Sequence, residues 1–531
     1  MSSQQQHDDR LPACLLQSEH RCGEALEAFS NGQIHACLFL GEEGDAILEE
    51  LIFERYTKHG REPNWFYVEP GRYSPGVLMT MKKRRAYDHW ERLVFCKHHT
   101  TLIGGPFFKR PQSGKNVDLD DLQPTTPFIP YSPAQFHNAL KFIWYKANRG
   151  RFYLPLFSRG TTLVNHIPNE VELTHKDNLA RNIGEYTRNL MSLESLPEEW
   201  RCLNFPVHPE TFSLRHWDQC TAFYELQQQY ATQHQETGPS SSSSTTSKAV
   251  DLSNVWIIKP DDGSRGVGIG VLSDFKPFMD DYRASQSKSS QGANMILRDS
   301  KEDHKTGHYC LTRQILQRYL SKPLLLNGHK FDVRTYLMIV NVEDELVFYH
   351  DGYIRVNAEP YDTSCTDLKN LWKHLSNVSV QRTHPNFDEF SEDMRWDFAR
   401  FQEHLTSNNL APDDWVSSIL IPQMKRMMWI SFQSVKHKLR RSSPHAVFMM
   451  VGADFIIDED LRIWLIEYSK SPAIFRTSNS HPLVKRWSSM IAEAAAIVLE
   501  VDRLKQDGVS IGINSNTMLA SAKTWKTCRP H

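Results

Sequence analysis

A chain of 531 residues with a formal net charge of −2 and a pI near 6.9 has room for two to four domains, or for one large enzyme with insertions. Its near-neutral charge argues against a protein dedicated to nucleic acid, which needs a basic surface. The nine cysteines form no CxxC pair, no apolar run reaches 18 residues and the N-terminus is polar, so we expect reduced intracellular thiols, no signal peptide and no membrane insertion.

The first 130 residues contain no pattern that indicates chemistry. Short apolar segments recur there, for example at 36–40 and 65–68, and they predict a small α+β extension. A basic cluster at 82–85 predicts the start of a helix that runs to Phe95.

Residues 163–186 read LVNHIPNEVELTHKDNLARNIGEY, and the second half has helical spacing, with Leu179 and Ile183 on one side. Lys176 stands at the start of this helix, where a lysine is either an ordinary surface residue or a functional one. The serine-rich segment 236–249 predicts a long surface loop.

The central stretch, residues 254–272, reads NVWIIKPDDGSRGVGIGVL. It predicts a strand that ends near Lys259, a glycine-rich loop, and a second strand that begins at Ile269. Glycines let main-chain N–H groups approach a bulky anion, and Lys259 adds a positive charge. The P-loop pattern is absent, because no Lys-Ser/Thr pair follows the last glycine. A glycine-rich hairpin that folds over ATP fits the pattern, and so does a plain flexible turn.

An Asn-Gly pair at 327–328 predicts a tight turn before the next strand. The period of two in that strand puts Lys330, Asp332 and Arg334 on one face, which is either solvated or lines a charged site. Two further short strands are predicted next, and Arg355 lies near the end of the second.

Residues 447–472 predict a β-hairpin with its turn at 458–460. This hairpin would bring Asp454 and Glu467 face to face on adjacent strands. Two buried carboxylates that face each other repel and need a cation, and with a phosphate-binding loop upstream Mg²⁺ suits this place. Two solvated carboxylates on an exposed hairpin are the alternative. A helix over 484–504 closes the predicted fold.

Taken in order, several segments resemble the tubulin tyrosine ligase and tubulin tyrosine ligase-like family. They span roughly residues 130–500 and read VNHIPNEVELTHKD, NVWIIKP with its glycine loop, QRYLSKPLLL, KFDVR, HLSN, and GADFIIDEDLRIWLIE with the SP that follows. The resemblance implies an α+β fold with an ATP-grasp ligase core, in which a glycine-rich β-hairpin and antiparallel sheets are flanked by helices. The segments look most like those of the tubulin polyglutamylase members.

The resemblance implies five parts in the chain. They are an N-terminal extension of unknown role (1–130), the N-terminal part of the ligase domain with its serine-rich loop (131–255), a central ATP-grasp subdomain (256–325), a C-terminal ATP-grasp subdomain with the metal site (326–505) and a mostly irregular tail (506–531).

The resemblance also implies roles for single residues. The catalytic residues implied are Arg334, Lys176, Arg355 and Asn377. The ATP-binding residues implied are Lys259, Ser264, Arg265, Gly266 and Gly268 with the glycine loop, the adenine hinge Gln317, Arg318, Tyr319 and Leu320, and also Lys330 and Asp332. The Mg²⁺ ligands implied are Asp454, Glu467 and Ser469.

The reaction implied is the ATP-dependent joining of a free amino acid to a carboxylate on a protein tail through an acyl phosphate. Such a reaction is accelerated mainly by positioning and by cations on the moving phosphoryl group. The partners implied are ATP, Mg²⁺, a free amino acid and the C-terminal tails of tubulin or whole microtubules, without nucleic acid or a membrane. The places implied are the cytoplasm, the cytoskeleton and the cilium.

One position departs from the family pattern, and the identity of the amino acid is open. The family usually has Asn two residues after the metal-binding Glu, whereas Ser469, a shorter and weaker ligand, stands there. Segments 163–183 and 374–381 resemble the glutamylating members more than the tyrosinating one, so glutamate is favoured. The alternatives are a tyrosine or glycine ligase of the same fold, and a catalytically weakened member that binds microtubules.

Overall fold

The computed structural model describes most of the chain from residue 163 onward and four strands nearer the N-terminus. The described ranges are 34–35, 64–68, 90–94, 140–144, 163–193, 200, 203, 205–236, 251–263, 265–290, 308–365, 367–391, 393–439, 448–470, 472, 482–511 and 519–529. No helix within these ranges is long and apolar enough to cross a lipid bilayer.

The first sheet is parallel and has five strands in the order β1-β3-β2-β4-β5. These strands are β1 Ile34–His35, β2 Asn64–Val68, β3 Trp90–Val94, β4 Leu140–Trp144 and β5 Leu163–Val164. The helix predicted up to Phe95 is therefore wrong over β3, because pairing with a strand on each side outweighs local helix propensity. The boundary predicted after residue 130 falls between β3 and β4 of this one sheet.

Helices α1 (Val171–Thr174) and α2 (Lys176–Met191) follow the parallel sheet. As the spacing predicts, α2 buries Leu179 and Ile183 against the main core. Lys176 and Asp177, in its first turn, are buried as well, so the start of α2 lies inside the protein and not on its surface.

The second sheet is antiparallel and carries the glycine-rich loop. Its strands are β6 Thr211–Ser213, β7 Trp256–Pro260, β8 Gly270–Leu272 and β9 Gln314–Arg318, in the order β6-β9-β7-β8. The pairing of β7 with β8, with Trp256 opposite Leu272, confirms the predicted strand, loop and strand. Helices α3 (Trp217–Glu236) and α4 (Lys276–Ser290) pack on one face around Phe223 and Phe278.

The third sheet is the largest, is antiparallel and supplies most of the charged residues of interest. Its strands are β10 Leu325–Leu326, β11 His329–Asn341, β12 Leu346–Pro360, β13 Arg395–Trp396, β14 Met449–Ile457, β15 Ile463–Ser469 and β16 Lys526–Thr527. The order is β13-β12-β11-β14-β15, with β10 on β11 and β16 on β12. The tail after residue 505 is thus not wholly irregular, and it buries Trp525 and Cys528.

The sequence predicted two short strands where the structure has the single 15-residue strand β12. The Asp-Gly pair at 351–352 lies at a shift in the pairing with β11, so it forms an irregularity and not a turn. Glycine is needed there, because a Cβ at Gly352 would lie 1.6 Å from the main-chain oxygen of Arg334.

Helices cover the large sheet on both faces. They are α5 Leu371–His374, α6 Val378–Gln381, α7 Phe387–Phe390, α8 Phe398–Ser407, a π-helical turn Val416–Leu420, α9 Ile421–Val435 and α10 Pro482–Gln506. Helix α9 packs on one face with Phe331 and Val333 of β11, and α10 covers the far half of the other face around Met338. The near half of that second face bears charged side chains instead, and it borders a cleft. The mixture of helices and antiparallel sheets confirms the α+β class.

Candidate active site

A cleft that is open to solvent lies between the glycine-loop sheet and the large sheet. Its walls combine apolar side chains with convergent charged groups, which is the usual character of a ligand site. The predicted site residues that line it are Lys259, Gln317, Arg318, Tyr319, Leu320, Lys330, Asp332, Asn377, Asp454 and Glu467. The sequence patterns did not predict the apolar part of the cleft wall, because apolar residues that line a cleft have the same local pattern as core residues. These wall residues are Ile257, Ile269, Leu375, Ile456 and Ile466.

Lys259 is held at the end of β7 by a chain of side chains that ends at His208. Its Nζ donates to Gln317 Oε1 at 2.8 Å, and the Gln317 amide nitrogen donates to Thr211 Oγ1 at 3.2 Å and lies 3.4 Å from His208 Nε2. Burial lowers the pKa of Lys259 to about 8, although Glu467 partly opposes this. Burial also lowers the pKa of His208 to about 4, so this imidazole is neutral and can accept. Nothing in the sequence indicates a role for His208.

A second buried lysine, Lys330, reaches the cleft from β11. Its Nζ donates to the Tyr319 hydroxyl at 2.9 Å and lies 4.0 Å from the centre of the ring. The Tyr319 hydroxyl is 2.7 Å from Nδ1 of His374, whose Nε2 is 3.0 Å from the main-chain oxygen of Asp367. Burial lowers the pKa of Lys330 to about 7. His374 was visible in the sequence only as part of the HLSN segment.

At the floor of the cleft, two arginines and two carboxylates form a buried network on three adjacent strands. Arg334 donates through Nε and through Nη2 (2.8 Å) to the two oxygens of Asp454, which lies directly opposite on β14. Arg355 on β12 lies opposite Asp332 and donates to it at 2.6 Å, and its Nη2 is 3.0 Å from Asp454. Burial alone would raise the pKa of Asp454, but Arg334 and Arg355 outweigh it and hold the pKa at about 2. The charged face predicted from the period of two is thus buried, not solvated.

The two carboxylates of the hairpin pair across β14 and β15, as the sequence predicts. Glu467 Oε2 lies 3.4 Å from Lys176 Nζ, which also donates to the main-chain oxygen of Gly263 at 2.8 Å. Carboxylate oxygens are hard donors of the kind that Mg²⁺ prefers, so the donor chemistry of this pair suits the ion, while both Asp454 oxygens accept hydrogen bonds from Arg334 in this structure. Ser469 lies two residues beyond Glu467, opposite Gly452, and is not among the described residues that line the cleft.

The glycine loop lies against helix α6. Positive φ angles of 65°, 76° and 73° occur at Arg265, Gly266 and Gly268. The Ser379 hydroxyl of α6 donates to the main-chain oxygen of Arg265 at 2.7 Å, and a Cβ at Gly266 would lie 2.4 Å from Val380. Only a residue without a side chain permits this approach. Ser264, also predicted to bind ATP, lies outside the described residues.

The Arg318 guanidinium is already committed to the protein. It donates to Ser253 O at 2.6 Å and to Glu210 at 2.5 Å, and it lies 4.2 Å from the centre of the Trp256 ring. We therefore expect this part of the hinge to contact a bound base through main-chain atoms.

Comparison with known proteins agrees with this geometry. A sequence model of the tubulin-tyrosine ligase family matches residues 156–493. The chain is 28% identical over 324 residues to "Protein polyglycylase TTLL10" of Mus musculus, covering 60% of this chain and 41% of the relative. It is 32% identical over 228 residues to "Tubulin monoglycylase TTLL3" of Homo sapiens, covering 42% and 26%, and 26% identical over 347 residues to "Probable tubulin polyglutamylase TTLL9" of Mus musculus, covering 63% and 67%.

The α+β fold is ATP-grasp-like, the fold of the family whose sequence model matches. The chain belongs to the tubulin-tyrosine ligase family. It spans 38% to 46% of the length of the non-human TTLL10 relatives that it matches. Members of this family are tubulin ligases that generally use ATP and Mg²⁺ for amide bond formation.

Proposed function

We propose that this chain uses ATP and Mg²⁺ to join a free amino acid to a carboxylate on a tubulin tail, and that it works on the cytoskeleton, including that of cilia. The observation that carries the proposal is the buried network of Arg334, Arg355, Asp332 and Asp454 under a cleft that also holds two buried lysines. Phosphoryl transfer needs fixed cations more than a nucleophilic side chain. The acceptor carboxylate would take the γ-phosphoryl group of ATP and release ADP, and the amine of the donor would then displace phosphate from the acyl phosphate and lose a proton to form the amide.

The roles proposed for single residues are those that the family resemblance implies, and the position of Lys259, the hinge, Asp454 and Glu467 on the cleft wall supports them. Lys259 and the glycine loop, Arg265 to Gly268, would hold the phosphates, while the hinge from Gln317 to Leu320 takes the base. Asp454 and Glu467 would hold Mg²⁺, with Ser469 as a weaker third ligand, and the ion neutralises charge on the phosphates. Lys176, Arg334, Arg355 and Asn377 would orient the two reacting substrates beside them.

The donor amino acid is either glutamate, which the sequence favours, or glycine. Relatives named as glycylases and as a glutamylase support both. Arg334 and Arg355 already pair with Asp454 and Asp332, so the side-chain carboxylate of a glutamate donor needs another cation, or the release of one arginine from its pair. Glycine has no such requirement. The test therefore has to include both glutamate and glycine as donors.

The test is incorporation of labelled glycine, glutamate and tyrosine, each supplied separately with Mg-ATP, into purified microtubules. Incorporation of one amino acid that stops without ATP supports the proposal and identifies the donor. A catalytically weakened microtubule-binding protein is the second candidate, because Ser469 replaces the usual Asn. It is favoured if none of the three is incorporated while the chain still sediments with microtubules and binds Mg-ATP.

The two buried lysines predict that ATP binding depends on pH. In the free protein the pKa is about 7 for Lys330 and about 8 for Lys259, so Lys330 loses its charge between about pH 6 and 8 and Lys259 between about pH 7 and 9. Bound phosphates favour the charged lysines, so binding takes up protons in this range and weakens by up to about ten-fold per pH unit for each proton. Calorimetry in buffers of different ionisation enthalpy measures this uptake. ATP affinity that stays constant from pH 6.5 to 9 contradicts the prediction.

Because the glycine loop packs against α6 at Gly266, we expect a single added methyl group there to weaken ATP binding. In Gly266→Ala the new Cβ meets Val380, so the loop cannot keep its approach to α6, and Mg-ATP binding should weaken about ten-fold, which corresponds to about 1.4 kcal/mol. Gly328→Ala is the matched control: its φ of +80° is similar, but no described heavy atom lies within 4 Å of the new Cβ. Both variants carry left-handed strain, so equal loss of ATP affinity in the two would show that the contact with Val380 is unimportant.

A further inference from the structure

Three potential metal ligands meet where the first turn of α2 lies against the end of β7. They are His175, Asp177 and Asp261, and one ligand atom from each lies within 4.8 Å of the other two. The main chain fixes this arrangement, because Lys176 N donates to Asp261 O at 3.0 Å and Asp261 N donates to Arg313 O at 2.9 Å. His175 and Asp177 are therefore the sequence neighbours of Lys176, and Asp261 accepts a main-chain hydrogen bond from Lys176.

One carboxylate of this group is buried without adequate compensation. Asp261 is 2% exposed, and its Oδ1 has no hydrogen-bond partner among the described residues. Its other oxygen, Oδ2, lies 4.0 Å from Nη1 of Arg215, which is the longest distance that counts as an ion pair. The Arg215 side chain is 41% exposed, so water weakens this attraction. Burial, followed by the charges of Asp177 and Asp262, raises the pKa of Asp261 to about 6, although a hydrogen bond from the main chain of Asp262 and the charge of Arg215 partly oppose the rise. A buried carboxylate in a negative environment is costly unless a cation or a proton joins it.

We propose that His175, Asp177 and Asp261 bind a divalent transition-metal ion, Zn²⁺ by preference. The reason is the donor set, since one imidazole nitrogen and two carboxylate oxygens suit Zn²⁺, whereas Mg²⁺ and Ca²⁺ prefer oxygen alone. Three protein ligands and a water complete a tetrahedron. Ligands at about 2.0–2.2 Å from zinc lie roughly 3.5 Å apart, so the three atoms need to approach one another by about 1 Å.

The proposed zinc site is a neighbour of the candidate magnesium site and shares no residue with it. Lys176, between two of the zinc ligands, contacts Glu467 at 3.4 Å and the glycine loop at Gly263. A bound ion would join the start of α2 to the base of the loop and so fix the position of Lys176. Zinc binding by these three residues does not require the chain to be an active ligase.

The test is zinc binding by the full chain, measured by competition with a chromophoric chelator. All proteins carry Glu467→Gln, which weakens any zinc binding at the hairpin carboxylates. We expect one tight equivalent of Zn²⁺, and at least about ten-fold weaker binding in Asp261→Asn, because loss of a direct ligand exceeds the ten- to hundred-fold effects of groups around a metal. The matched control is Asp262→Asn, which removes the same charge from the exposed neighbour and should change the affinity by less than about two-fold.

Several results would overturn the proposal. These are the absence of a tight zinc equivalent, an affinity unchanged in Asp261→Asn, and displacement of the zinc by equimolar Mg²⁺. If Asp261→Asn does not fold, His175→Gln replaces it, because His175 is the partly exposed N-cap of α2. The same loss of zinc affinity is expected. Zinc should also slow amide hydrogen exchange at the start of α2 and at Asp261, and this slowing should vanish in the same variant. If zinc still slows amide exchange there in the variant, the ion is bound by other residues.

Discussion

Glu467→Gln is expected to lower ATP-dependent amino acid incorporation by at least about 100-fold, comparable to the loss of one preorganised charge-stabilising group in other enzymes. The amide keeps the size of the side chain but loses the negative charge that a magnesium ligand provides. The fold should survive, because Glu467 is 19% exposed and its ion pair is with Lys176 at 3.4 Å. Incorporation of the labelled donor into microtubules measures the effect, and the thermal melting temperature monitors the fold.

The control for this variant lies on the same hairpin. Glu459→Gln makes the identical chemical change at the turn, where the side chain is 51% exposed and pairs with the exposed Lys322. An exposed pair of this kind contributes about 0–1 kcal/mol to stability. Incorporation should therefore be unchanged in Glu459→Gln. A Glu467→Gln protein with full activity would exclude this carboxylate as an essential ligand.

The parts of the site that the sequence predicted are those that follow from local periodicity. The period of two placed Lys330, Asp332 and Arg334 on one face, and the length of the hairpin placed Asp454 opposite Glu467. Both results depend on residues that are close in the chain and on strand geometry that varies little.

The parts that it did not predict depend on contacts between distant segments. Arg355 meets Asp332 only because β12 continues past the pairing shift at Gly352, which the sequence suggested was a break between strands. His208 reaches Gln317 across 109 positions of the chain, and Asp261 meets the start of α2 across more than 80. No periodicity within one segment contains such information, and the same holds for the parallel pairing of β3.

The buried network predicts a second large effect, this time on stability. Arg334→Met removes one cation from a carboxylate that is 4% exposed, and the free energy of unfolding should fall by about 3–5 kcal/mol, as when one partner of a buried ion pair is deleted. Asp454 would retain only Arg355, which it shares with Asp332. Urea denaturation measures the change as a lower midpoint at an unchanged slope.

The double variant Arg334→Met, Asp454→Leu separates stability from function. It removes both members of the pair and leaves Arg355 with Asp332, so the double variant should recover most of the stability lost in the single one, since apolar replacements of buried ion pairs are often neutral or stabilising. Equal destabilisation in the single and double variants would mean that packing of the Arg334 stem matters more than its charge. Activity should be absent from both. A double variant that is stable and inactive means that the two charges serve the cleft, because the fold can do without them.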